Sequence, residues 1–91
     1  MISANAETIA LKALTFIAGD EELLGPFLGA SGCSLADLRA SAQDPAFLGG
    51  VLDFLLQEDK RILDFCQSEG LNPADLIRAR HALPGSPGFE F

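Results

Sequence analysis

Ninety-one residues, 48% of them hydrophobic and 21% charged, suffice for one small domain with a core and are too apolar for a disordered chain. The net charge of −7 argues against nucleic acid and anionic membranes as partners, because both need cationic neutralisation. No apolar run approaches the roughly 18 residues of a spanning helix, and Met1 to Ala6 carries neither the basic region of a secretory leader nor a lipidation motif.

The first predicted helix covers 6–18. Ile9, Leu11, Leu14, Phe16 and Ile17 leave only a narrow polar stripe through Thr8, Lys12 and Thr15, so the helix should be largely buried. Gly19 ends it and Asp20 caps the second, whose first turn carries Glu21 and Glu22 against the helix dipole. Pro26 inside that stretch predicts a short or kinked helix ending near Ala30. A third helix is expected over 35–42, with Leu35, Leu38 and Ala42 inward and Arg39 outward. Asp44-Pro45 is a cap followed by a first-position proline, opening a fourth helix that runs to about Leu56. Gly49 and Gly50 in its interior each cost about 1 kcal/mol relative to Ala. Glu58-Asp59 opens the fifth helix and Gly70 ends it. The sixth runs 73–82, buried through Leu76, Ile77 and Leu83, with Arg78, Arg80 and His81 near its C-terminal end. Pro84 stops it, leaving 84–91 as a Gly/Pro-rich tail expected to be flexible.

One corner occurs twice. Gly32-Cys33-Ser34-Leu35-Ala36-Asp37-Leu38 returns thirty-eight residues later as Gly70-Leu71-Asn72-Pro73-Ala74-Asp75-Leu76. In each copy a glycine suited to the left-handed conformation ends one helix, and Ser34 or Asn72 is placed to cap the next. Asp37 and Asp75 stand where a capping box wants an acidic or amide side chain. The same offset superposes Leu14, Phe16 and Phe27 on Leu52, Phe54 and Phe65. The expectation is an all-α bundle of about six short helices, a single domain over 1–83 built as two similar three-helix units, about 6–43 and 44–81, that share one core.

The corner has the element order of a helix-turn-helix, and the second copy carries Arg78, Arg80 and His81. The first copy offers only Arg39, and an acidic domain lacks the cations that phosphate contacts need. Cys33 and Cys66 have no metal spacing and read as free thiols in a reducing compartment. His81 has no evident base or nucleophile, and the carboxylates Asp20, Glu21, Glu22, Glu58 and Asp59 sit where capping explains them. No catalytic, cofactor-binding or metal-ligating residue is assigned. An apolar surplus in a chain with limited interior predicts exposed patches that take a protein partner or a second copy. The Gly49-Gly50-Asp53 side of the fourth helix is a candidate for close helix approach. A helix-turn-helix DNA-binding regulator is the alternative, and a small-molecule binder a third reading.

The pattern Ala6-Glu7, Ala10-Leu11, Ala13-Leu14, Phe16, the run Asp44 to Leu56, and Gly70-Leu71 with Pro73 resembles an uncharacterised bacterial family of short, acidic, all-helical proteins, a domain of unknown function. The resemblance spans 6–85 and is most specific between Asp44 and Leu56. It implies a cytoplasmic bacterial protein and brings no activity, cofactor or catalytic residue with it.

Overall fold

In a computed structural model that describes residues 2–83, the caps set the helix order. The helices are α1 (Ile2–Ala18), α2 (Glu21–Ser31), α3 (Leu38–Ser41), α4 (Pro45–Leu56), α5 (Asp59–Glu69) and α6 (Pro73–Ala82), with a 3₁₀ turn at Leu35–Asp37 leading into α3. The protein is a compact all-α bundle of these six short helices. The expected flexible tail, 84–91, lies outside the described residues.

Local chemistry explains most boundaries. Asp20 Oδ1 accepts from the Glu22 N–H at 2.9 Å, and Asp44 Oδ1 accepts from the Ala46 N–H at 3.0 Å. Gly32 and Gly70 end α2 and α5 at φ 71° and 69°, the conformation that favours glycine. At Gly70 the Leu71 N–H closes the Schellman bond to the Cys66 carbonyl at 2.9 Å. At Gly32 the Ser31 hydroxyl intervenes and accepts from the Cys33 N–H at 3.3 Å.

Several sequence expectations need correction. The first helix starts earlier than residue 6, because nothing in Ser3-Ala4-Asn5 breaks it. The second is, as expected, a short helix, eleven residues to Ser31, and it runs through Pro26 without interruption. That proline leaves the exposed Glu22 carbonyl without its helical donor, a cost of about 3 kcal/mol that does not end the helix. The third is not one α-helix over 35–42. Ser34 Oγ donates to Asp37 Oδ2 at 2.8 Å instead of capping backbone, and the Asp37 N–H reaches the Ser34 carbonyl at 3.0 Å. This tighter i→i+3 winding rotates Leu35 outward, to 61% exposure. Ile77, expected inside, is 47% exposed, and Leu76 and Ala79 supply the buried face of α6.

The core centres on α1 and α4. Ala10, Ala13, Ile17, Val51, Leu52 and Leu55 are fully buried along these two helices. Aromatic rings join the halves of the chain. Phe16 meets Phe65 edge-on with centroids 5.4 Å apart, and Phe27 meets Phe54 at 5.3 Å and Phe47 at 5.9 Å. Arg61 locks α5 to the end of α4. Its guanidinium stacks 4.0 Å over the Phe54 ring and donates at 3.0 Å to the Phe54 carbonyl, which also accepts from the Gln57 N–H at 3.4 Å.

Candidate binding surface

Two helix joints have contrasting chemistry. Where α6 packs on α4, Arg80 Nε donates to Asp53 Oδ1 at 2.6 Å, and Arg80 Nη1 donates to the Leu83 carbonyl at 3.1 Å. Leu52 and Leu76, on the same two helices, are fully buried, and Leu56 packs against the core. Arg80 is mostly shielded from water, so this pair is stronger than an exposed one.

The joint thirty-eight residues earlier is open. Leu14, Thr15 and Ala18 of α1, with Leu38, Arg39 and Ala42 of α3 and its end, line a cleft of about 370 Å³. Leu14 and Leu38 belong to the buried core, whereas Thr15, Ala18 and Arg39 are exposed. Thr15 Oγ1 donates to the Leu11 carbonyl one turn back, at 3.0 Å, so its hydroxyl is occupied and its methyl is what it offers. α6 lies against both α1 and α4, while α3 makes no comparable contact beyond the turn that leads into it. The open joint follows from that difference.

Charge is distributed in the same uneven way. Lys60 pairs with Asp64 at 3.0 Å, Arg61 with Glu58 at 3.3 Å, Arg78 with Asp75 at 3.1 Å and Arg80 with Asp53 at 2.6 Å. Among the described residues, Lys12 and Arg39 are the two Lys or Arg side chains outside any ion pair. Arg39 stands in the groove wall, and no carboxylate among the described residues lines the groove.

The residues singled out in the sequence fall elsewhere. Gly49 and Gly50 are buried within the bundle, and the partly exposed Asp53 carboxylate is held by Arg80. Asp20, Glu22 and Glu58 border a small hollow of about 230 Å³ with Lys60 and Asp64. There the hydrogen bond to Asp64, and next its charge, raise the Lys60 pKa. Asp20 caps α2, whereas Glu58 makes no side-chain cap and turns to Arg61. At the second corner the Asp75 carboxylate accepts from the Asn72 N–H at 3.0 Å, the return bond of a capping box. Arg78 is engaged with Asp75 and Arg80 with Asp53, while His81 is exposed. The first would-be recognition helix is a 3₁₀ turn and a single α-turn.

Both cysteines are free, Cys33 half-buried and Cys66 buried. Burial, then the nearby Asp75 charge, pushes the Cys66 thiol up from its ordinary value. Among the described residues no group of three His, Cys, Asp or Glu side chains gathers to hold a metal, and no helix is long and apolar enough to cross a membrane. Sequence reasoning missed the groove. Its only signal was the contrast of Thr15, Arg39 and Ala42 with Asp53, Ile77 and Arg80 at the repeat offset, a change of charge beside matching apolar positions.

The molecule is thus a small all-helical bundle that carries, among its described residues, an open apolar groove with one cation in its wall. The chain belongs to the family described as Protein of unknown function (DUF3572), whose sequence profile matches residues 3–86. No curated protein and no solved structure matches it.

Proposed function

We propose that the chain is a non-catalytic module that acts by protein–protein contact. The observation that carries this reading is the open α1–α3 groove, with an apolar lining in a domain too small to bury all its apolar side chains. Leu11, Leu35, Leu63 and Ile77, each between 44% and 61% exposed, extend the apolar surface beyond the groove. The free thiols of Cys33 and Cys66 suit a reducing, cytoplasmic setting. A DNA-reading role has less support, since Arg78 and Arg80 are already engaged by carboxylates.

The reading also takes the chain as two three-helix units, about 6–43 and 44–81, that share one core. α2 and α5 begin and end thirty-eight residues apart. Phe16 packs on Phe65 and Phe27 on Phe54, so each unit gives the other the same pair of rings. Such reciprocal contacts are the mark of an isologous interface.

Sedimentation velocity to about 1 mM, the weak end of specific association, combined with quantitative enrichment on the immobilised chain, tests the contact role. Self-association or reproducible enrichment of a defined protein, weakened by Leu35→Glu or Ile77→Glu, is the expected result. A monomer at every concentration with nothing enriched above a matched column overturns it.

A further inference from the structure

We infer that the α1–α3 groove receives an acidic amphipathic segment of another protein, one that presents a Leu-sized side chain beside a carboxylate. This rests on the contact-module reading and names the chemistry of its partner. The argument starts from the joint that is already closed. At the repeat offset, the groove residues Leu14, Thr15, Ala18, Leu38, Arg39 and Ala42 correspond to Leu52, Asp53, Leu56, Leu76, Ile77 and Arg80. The buried leucines are retained at both joints, Leu14 and Leu38 at one and Leu52 and Leu76 at the other.

What differs is the filling. In the closed joint Leu56 supplies apolar volume and Asp53 bonds Arg80 at 2.6 Å. In the open one Ala18 replaces the leucine, Ala42 replaces the arginine and Thr15 replaces the aspartate. The shortfall is one branched apolar side chain and one carboxylate, and the cation has moved to Arg39, in the groove wall without an acidic partner. A guest segment with Leu at helical spacing and Glu or Asp alongside supplies both missing parts. Lys12, the other unpaired cation, lies one turn before Thr15 on α1. Asp20, Asp37 and Asp44 lie within two residues of the groove lining, so an acidic guest depends on direct contact with Arg39 and not on the surrounding field.

A second copy fits less well. A two-fold contact through this face would set groove against groove, fill neither, and bring the two Arg39 side chains together.

The test uses the full chain and a fluorescein-labelled synthetic helix with Leu at i, i+3 and i+7 and Glu at the flanking positions, read by anisotropy. Saturable micromolar binding is expected, weakened about tenfold or more by Arg39→Glu, the loss of a charge-assisted contact worth one decade. The triple variant Thr15→Asp, Ala18→Leu and Ala42→Arg rebuilds the closed joint and should abolish binding while circular dichroism stays helical. Arg78→Glu, outside the groove, should leave affinity unchanged. A matching peptide with Lys for Glu should bind at least about tenfold more weakly.

Absent binding, or binding indifferent to Arg39→Glu, overturns the proposal. So does a dimer that Arg39→Glu dissociates, which would assign the groove to a second copy. Tighter peptide binding by Phe89→Ser with Phe91→Ser would assign it to the chain's own C-terminal residues and overturn it equally. A chain that enriches a protein partner yet ignores the peptide loses this proposal and keeps the contact-module reading. One that does neither loses both.

Discussion

Arg80 holds Asp53 at 2.6 Å across the α4–α6 joint, and the positions thirty-eight residues earlier hold Ala42 and Thr15, between which no ion pair can form. The bond therefore separates a joint that is locked from one that is open. Asp53→Asn should cost about 1 kcal/mol, at the top of the range for exposed pairs and below that for fully buried charge-assisted bonds, because the carboxylate is partly solvated. Arg80→Ala should cost about 2 kcal/mol, since it also frees the Leu83 carbonyl and removes a packed stem. For a domain this size each kcal/mol lowers the melting temperature by about 4–8 °C. A double-mutant cycle should return a coupling of about 0.5–1.5 kcal/mol, and additive single effects would show that the pair does not act as a bond.

This pair also marks where sequence reasoning stops. The caps at Asp20 and Asp44 and the helix ends at Gly32 and Gly70 were legible because each depends on residues within one or two turns. The Asp53–Arg80 bond joins residues twenty-seven apart, and nothing local to either announces it. Leu35 misled for a different reason. Its inward placement assumes α-helical winding, and the Ser34–Asp37 side-chain bond substitutes a 3₁₀ turn that points it at solvent. Gly49 and Gly50 were ambiguous because periodicity says which residues share a face and not which face is covered. The groove arises from the short α3, a length the sequence alone overstated.

The Phe27 ring is fully buried and touches Phe47 and Phe54 edge-on, from α2 to both ends of α4. Phe27→Ala should cost about 3–5 kcal/mol, enough to unfold much of a marginal domain, and Phe27→Leu about 1–2 kcal/mol. Phe16 is only half-buried although it makes the reciprocal contact with Phe65. Phe16→Leu should therefore cost less than Phe27→Leu. Urea titrations of both leucine variants check the order, and equal midpoints would contradict the burial argument.

Glycines separate backbone effects from packing effects. A Cβ added at Gly32 or Gly70 meets nothing within 4 Å, so the whole penalty of Ala comes from the positive φ, about 1–2 kcal/mol. Asn at either site should recover part of it, being the side chain that best tolerates that conformation. Gly25 and Gly29, exposed within α2, also have open space around a Cβ but ordinary helical backbone. Ala at each should stabilise by about 0.5–1 kcal/mol through helix propensity and a less free unfolded chain. Opposite signs at the two kinds of glycine, measured by thermal melts, are the expected outcome.

The two thiols should differ in reactivity and in their effect on pH dependence. Cys33 is half-buried at the first corner, with its Sγ 3.6 Å from Ser41 Oγ, and Cys66 lies in the core. In the native protein Ellman's reagent should titrate Cys33 first and reach Cys66 only as the chain opens, at a rate that follows denaturant. Burial holds the Cys66 thiol above its ordinary pKa, so the folded state keeps its proton while the unfolded state begins to release it near about 8.5. Where the unfolded state binds fewer protons, stability falls as pH rises. The contribution is thus fully present below that value and is lost as pH climbs through the folded pKa. Lys60, whose pKa is raised by its bond to Asp64, adds a loss of the same sign at higher pH. Denaturation of the wild type and of Cys66→Ala at neutral and alkaline pH separates the two. The wild type should lose more stability than the variant, and parallel losses would place the alkaline sensitivity outside Cys66.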